Sequence, residues 1–165
     1  HYVYKCDLKL NISQYYNTIN FKIGEKEKEG YINIKELFLD NEMLEYRNNN
    51  IFLEMTQKMQ HAYCCTADKF AKVDELFTKI PQEDTIIFCK YIDSRTECER
   101  RYKEAKVLSY QKEAFGLNLQ HYQYMIFFDK IWDYALRMQA TRRTFRTGQE
   151  SDCIYYDMTG NVGLL

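Results

Sequence analysis

Proline is almost absent from this chain, with Pro81 the single one in 165 residues, and only six glycines accompany it. Flexible linkers and domain boundaries draw heavily on both residues, so little of the sequence is available for a linker or a second domain. No apolar run approaches the roughly 20 residues that a membrane-spanning helix needs. None of the glycines is followed by Lys-Ser or Lys-Thr, so the sequence contains no phosphate-binding loop. Net charge is nearly absent too: 23 basic against 24 acidic residues give −1, which removes the simple electrostatic case for a nucleic-acid partner. The six cysteines (Cys6, Cys64, Cys65, Cys89, Cys98, Cys153) lack the character of a disulfide framework. Two are adjacent, three lie in apolar or strand-like runs, and no secretion signal precedes them, so reduced thiols in a cytoplasmic protein are expected. His61, Cys64 and Cys65 have the ligand types of a zinc site, but no second ligand pair stands at a suitable spacing, and no metal is expected.

What the chain does have is aromatic bulk. Fifteen tyrosines and ten phenylalanines in a sequence that is 45% hydrophobic predict a core built largely from rings, some with a polar end. Charge, though balanced overall, is unevenly placed. Glu25 to Glu54 holds eight acidic and four basic residues, whereas Lys130 to Glu150 holds five basic (Lys130, Arg137, Arg142, Arg143, Arg146) and two acidic (Asp133, Glu150). The chain opens on His1 directly in a strand-like stretch, which suggests an excised fragment.

The first half reads mainly as helix. Tyr2 to Leu10 alternates enough for a strand, and Ser13 suits the N-cap of a helix carrying Tyr15, Tyr16, Ile19 and Ile23. Glu25 to Gly30 reads as a solvated connection. Asn33 and Glu36 form a capping-box pattern before Leu37, Phe38 and Leu44, and Asn48-Asn49-Asn50 ends that helix. Ile51, Met55, Met59 and Ala62 recur at helical spacing, as do Phe70, Val73, Phe77 and Ile80 before Pro81. The second half changes character. Ile86 to Cys89, Val107 to Tyr110, Met125 to Phe128 and Cys153 to Tyr156 read as strands. A helix capped by Ser94 and Glu97 and another over 132–146 lie between them. Strands alternating with helices predict an open α/β domain with a parallel sheet covered on both faces. Ligands of such sheets gather at the carboxyl ends of the strands, where the loops at Lys90, Gln111 and Asp129 belong.

Two segments carry chemistry. In Gln139-Ala140-Thr141-Arg142-Arg143-Thr144-Phe145-Arg146-Thr147-Gly148-Gln149, a helix would project Gln139, Arg143 and Arg146 from one face. Guanidiniums are fixed bidentate donors that stay charged, so this stripe suits a phosphate chain; a solvated basic face is the other reading. In Gln111 to Gln120, Gly116 stands among polar residues after a strand, where the backbone can approach a ligand closely, although taken alone a plain strand-to-helix turn is the better reading. Asp74-Glu75-Leu76-Phe77 has the letters of a magnesium-binding acidic box, but sits in an amphipathic helix rather than at a strand end.

Gly116-Leu117-Asn118-Leu119-Gln120, then Trp132-Asp133, then Gln139-Ala140-x-x-Arg143-x-x-Arg146-x-Gly148-Gln149 resembles motifs V and VI of Swi/Snf-type helicases of superfamily two. Ile86 to Tyr91 resembles the strand that opens that family's second lobe, and Met59 to Phe70 its helical lead-in. The likeness covers most of residues 50–160 and is closest to small phage and prophage members, which would place the protein in the cytoplasm of a bacterial host. It departs from the family at Arg142, where Gly or Asp is usual, and in a shortened segment between Ser94 and Val107.

The resemblance implies a RecA-like open parallel sheet flanked by helices, a trimmed C-terminal lobe with a lead-in over residues 1–80 and an α/β core over 81–165. It implies that Arg143 and Arg146 reach the phosphates of a nucleotide held by an N-terminal RecA-like lobe, one of them as an arginine finger. Gln139, Gly116 and Asn118 belong beside that nucleotide. Lys90, Tyr91, Ser109, Tyr110 and Gln111 are the matching candidates for gripping a DNA backbone. ATP and Mg2+ serve the full-length protein, and this lobe alone should hydrolyse nothing. A non-catalytic nucleic-acid-binding or interaction module derived from such a motor is the alternative, distinguished by whether a phosphate-binding loop is encoded upstream.

Overall fold

The computed structural model describes residues 2–5, 13–39, 49–110, 119, 121–130 and 152–160. Six strands form one sheet in the order β1-β2-β6-β5-β3-β4. They are β1 (Tyr2–Lys5), β2 (Ser13–Phe21), β3 (Thr85–Cys89), β4 (Lys106–Ser109), β5 (Tyr124–Phe127) and β6 (Cys153–Gly160). The five strands from β2 to β4 run parallel, and β1 joins the β2 edge antiparallel. Four helices are described: α1 (Glu25–Leu39), α2 (Asn49–Tyr63), α3 (Ala67–Leu76) and α4 (Ile92–Arg101).

β3 lies between β5 and the edge strand β4. Every residue of Thr-Ile-Ile-Phe-Cys is buried, as expected of a parallel strand covered on both faces. Alternation then sorts two cores. Ile87 and Cys89 point to one face, with Ile126, Phe128, Val107 and Met158, and pack under Phe70, Val73 and Leu76 of α3 and Cys98 of α4. Ile86 and Phe88 point to the other, with Leu108, Met125, Phe127 and Tyr155. Phe88 stacks on both Phe127 and Tyr110, with centroids 5.7 and 5.4 Å apart. Such offset ring pairs add to simple area burial.

Three expectations for the first half need correction. Ser13 does not cap a helix, because residues 13–21 form β2, paired in register with β6 from Gln14↔Cys153 to Phe21↔Gly160. Tyr15, Ile19 and Ile23 are four apart, and residues four apart share a face in a strand as well as in a helix. Phe21, two from Ile19 and packed in the same core, is the residue that separates the two periods. The charged run from Glu25 is not a connection but the first turns of α1, with Glu25 and Glu27 at its positive end. Glu and Lys are good helix formers, and Tyr31, Ile34 and Phe38 give the helix an apolar stripe against Met55 and Met59 of α2. Asn33 therefore lies inside α1 rather than at its cap, and Asn49 and Asn50 open α2 rather than close its predecessor. Leu44 falls outside the described residues.

The Ser94–Glu97 cap is also corrected. Tyr91 occupies the N-cap position of α4, and Glu97 instead pairs with Arg100 and Arg101 along the helix. The helices expected at α2, α3 and α4 and the four core strands stand where the sequence put them, save that α3 ends at Leu76, with Phe77 as its C-cap and Ile80 in the turn beyond, and that Tyr110 and Phe128 lie just beyond their strands. The helix expected over 132–146 falls outside the described residues. Asp74 and Glu75 lie within α3, and the Asp74 carboxylate accepts a hydrogen bond from Tyr102 Oη at 2.7 Å.

Gly30 sits inside α1 opposite Ala62 of α2, and an added Cβ would meet the Ala62 Cβ at 3.7 Å, an ordinary contact. Helix-interior glycine costs about 1 kcal/mol relative to alanine. Gly30→Ala should therefore raise the urea midpoint by an amount worth roughly 0.5–1 kcal/mol; a loss of stability would mean that α1 and α2 pack too closely for a methyl group.

Candidate functional site at the carboxyl edge of the sheet

From β3 the chain passes through α4 to β4 on one side, then returns to β5 on the other side of β3 and on to β6. Connections diverge between β3 and β5, so the crevice outside their carboxyl ends is the topological switch point at which open α/β sheets bind ligands. Two short segments meet there: Lys90-Tyr91 after β3, and Phe128-Asp129-Lys130 after β5.

Asp129 organises this edge. Its side chain is almost wholly buried. Oδ2 accepts the backbone N–H groups of Lys90 (2.7 Å) and Tyr91 (3.2 Å), at the start of α4. Oδ1 accepts Ser94 Oγ (2.9 Å) and Lys69 Nζ (3.1 Å). The carboxylate thus supplies the N-terminal anion that α4 lacks in its own N-cap residue. Its backbone carbonyl accepts Tyr110 Oη at 2.9 Å, which brings in the end of β4. Lys69, on the otherwise apolar stripe of α3, is 3% exposed; its ammonium also donates to the Cys64 carbonyl (3.0 Å) and lies 3.8 Å over the Phe128 ring. A buried charge pair is tolerable only when its remaining donors and acceptors find partners; here the carboxylate accepts four donors, and the ammonium has two acceptors and the faces of Phe21 and Phe128.

A cavity of about 80 Å³ opens beside this pair, lined among others by Gln60, Cys64, Lys69, Asp129 and Thr159. Gln60 is buried, and neither amide atom has a hydrogen-bond partner among the described residues. Burial and the neighbouring Asp129 charge push the Tyr63 hydroxyl up to about 12 and raise that of Tyr91 as well. Burial lowers Lys90, against the opposing pull of Asp129. The Cys64 and Cys65 sulfurs lie 3.8 Å apart, and that contact draws Cys64 down to about 7 while it pushes Cys65 up.

Of the candidates named from sequence, four are described. Lys90 is half-buried, with its ammonium 5.6 Å from the Tyr91 ring. Tyr91 donates its hydroxyl to the Gln57 carbonyl of α2 at 3.0 Å and stacks on His61 at 4.8 Å. Ser109 is partly exposed at the end of β4, whereas Tyr110 is buried at 3% exposure with its ring against both Phe88 and Phe127. The first pair and the second pair occupy the carboxyl ends of adjacent strands. Gln111, Gly116, Asn118, Gln139, Arg143 and Arg146 lie outside the described residues. Lys69 was not singled out from sequence, although a lysine on an apolar helical stripe is itself a signal of a buried partner.

The fold matches solved structures. It aligns with the Sulfolobus solfataricus SWI2/SNF2 ATPase core in complex with dsDNA at a TM-score of 0.67 and 15% identity, over 89% of this chain and 41% of that one. The S. solfataricus SWI2/SNF2 ATPase C-terminal domain gives 0.61 and 13%, over 90% and 80% of the two chains. The C-terminal part of the Fun30 ATPase domain gives 0.59 and 13%, over 90% and 85%. The architecture is that of the RecA-like C-terminal lobe of Snf2 ATPases, and the chain spans about two-fifths of the length of the S. solfataricus core. No family model and no curated protein sequence matches it.

Replacing Lys69 by Met keeps the alkyl stem and leaves the Asp129 carboxylate buried without its counter-charge. Breaking such a pair costs about 3–5 kcal/mol, and urea unfolding of Lys69→Met should show a loss of that size. Adding Asp129→Asn should recover part of it, since the amide oxygen still accepts from the start of α4. A loss below about 1 kcal/mol, the level of a surface pair, would show that the pair does not hold this edge.

Proposed function

We propose that this chain is the second motor lobe of an ATP-dependent DNA translocase or helicase. The observation that carries the reading is a coincidence of place. Residues 111–118 follow Tyr110 directly, at the carboxyl end of β4, and residues 131–151 follow Lys130, just past the end of β5. The two segments with motif-like chemistry are therefore joined to strand ends on either side of β3, at the edge where this fold class takes its ligands. The similarity in fold to a SWI2/SNF2 core solved on dsDNA supports the same reading.

In this proposal Arg143 and Arg146 face the phosphates of a nucleotide bound on a preceding RecA-like lobe and neutralise charge there. Their planar, permanently charged guanidiniums suit the task. Gln139, Gly116 and Asn118 line the same interface. ATP with Mg2+, held by the phosphate-binding loop of that other lobe, supplies the phosphoryl transfer that powers the cycle. The residues described at the carboxyl edge fit a partner of that kind only as a frame: they anchor the strands from which the arginine and glycine segments depart.

DNA contact falls to Lys90, Ser109 and Gln111, with Tyr91 and Tyr110 holding them in position. The start of α4 does not offer its own end to a phosphate through Lys90 and Tyr91, because Asp129 already takes both backbone N–H groups. Side chains are left to make that contact, and the Lys90 ammonium is the charged one. Backbone contacts of this kind carry no sequence information, as suits a motor that moves along DNA of any sequence.

ATP hydrolysis by the protein carrying both lobes should rise when DNA is added, and Arg146→Ala should lower the stimulated rate by roughly 10³-fold or more while leaving DNA binding in place. Lys90→Ala should weaken DNA binding and reduce the slope of log K against log salt by about 0.9, the share of one phosphate contact. Absence of DNA-stimulated turnover, or an Arg146→Ala protein as active as its parent, would sink the motor reading and leave a binding module.

A further inference from the structure

Independently of the motor reading, the end of α2 and the start of α4 bring together three side chains of metal-binding type. His61 lies in the last turn of α2, Cys64 in the turn that follows, and Asp93 in the first turn of α4. His61 Nε2 and Asp93 Oδ2 are 2.9 Å apart, and one ligand atom from each of the three residues lies within 4.8 Å of the other two. We propose that His61, Cys64 and Asp93 bind a single divalent metal ion of the zinc class, with water as the fourth ligand.

The chemistry of the set selects the metal. A thiolate and an imidazole favour zinc over magnesium or calcium, and a carboxylate is an accepted third ligand. Tetrahedral zinc, with bonds of about 2.0 Å to nitrogen and oxygen and 2.3 Å to sulfur, sets ligand atoms roughly 3.3–3.6 Å apart. The His61–Asp93 edge need open only slightly, and the thiol need move in by about an ångström, which is within the reach of side-chain rotation. One thiolate and one carboxylate together balance the charge of the ion.

The surroundings fix these ligands as a metal site requires. The His61 ring stacks on Tyr91 with an interplanar angle of 12°, and Tyr91 is in turn pinned to α2 through the Gln57 carbonyl. Cys64 is held from behind: its carbonyl accepts Lys69 Nζ, and its N–H donates to the His61 carbonyl at 3.3 Å. Orientation of ligands by such outer contacts is what separates a built site from a chance cluster. The side chains of His61 and Asp93 are 52% and 68% exposed, while Cys64 is buried. The set therefore has a closed floor and an open mouth, through which an ion can enter and a water can complete the coordination. Cys65, though 3.8 Å from Cys64 through sulfur, is not a member of the set. Bound there, the ion would clamp the α1–α2 hairpin to the sheet domain next to Lys90 and Tyr91.

Cobalt(II), titrated into the reduced protein, reports directly on sulfur ligation through a thiolate-to-metal charge-transfer band. One equivalent should bind, with that band, and zinc should displace it. Cys64→Ser should abolish the band, Cys65→Ser should keep it, and His61→Ala and Asp93→Asn should each weaken cobalt binding by roughly 100-fold, at least the cost of losing an outer-shell partner. His61 and Asp93 are at the surface, so those two variants test the proposal even if Cys64→Ser fails to fold; circular dichroism and urea midpoints without metal identify such a failure. A protein with no charge-transfer band at saturating cobalt overturns the proposal. So does a band that depends on Cys65 and not on Cys64, or affinities in the His61 and Asp93 variants equal to the parent's.

Discussion

The pairing of Asp129 with Lys69, both buried, is the interaction on which the working edge of this molecule rests. One carboxylate and its own carbonyl gather the ends of β3, β4 and β5, the start of α4 and the first turn of α3. A buried ion pair of this kind is a poor source of net stability, since desolvation consumes most of what the attraction supplies. What it provides is direction. Apolar packing would accept many registers of α3 and α4 against the sheet, but a carboxylate that must satisfy four donors at once accepts very few.

That constraint has consequences beyond the fold. Tyr110 and Lys130, after which residues 111–118 and 131–151 follow in sequence, lie at or beside strand ends that Asp129 fixes. α2 is tied to the same frame through Tyr91, which bonds to the Gln57 carbonyl and stacks on His61. The α1–α2 hairpin, whose Met55, Met59 and Tyr31 form a core of their own, thereby joins the sheet at the same place. A single crevice is thus bordered by the sheet and by the helical hairpin.

The legibility of these features in the sequence followed from how local each one is. β3 was plain, because the apolar run Ile86 to Cys89 is too short for a helix and rich in β-branched and aromatic residues. β2 was misread because Tyr15, Ile19 and Ile23 fit both periods, and its status as a strand depends on β6, more than a hundred residues away. α1 was misread because a Glu/Lys run looks solvated, while its helical state is secured by the apolar stripe that follows. The α4 cap was misread because Ser94 does bond to a carboxylate, but to one supplied by Asp129 rather than by its own helix.

By itself the sequence determined the α/β class, the four core strands, and the existence of an arginine- and glutamine-bearing segment after the third of them. Each of these is a matter of local period, composition or residue type. Only the tertiary structure decided that Lys69 would meet Asp129 and that Asp93 would stand beside His61. Periodicity says which face of an element is buried, and nothing about which residue of another element it will face. Partners 60 and 32 residues apart are chosen by the sheet order and by the packing of α2, α3 and α4, so their chemistry appears only once the chain is folded.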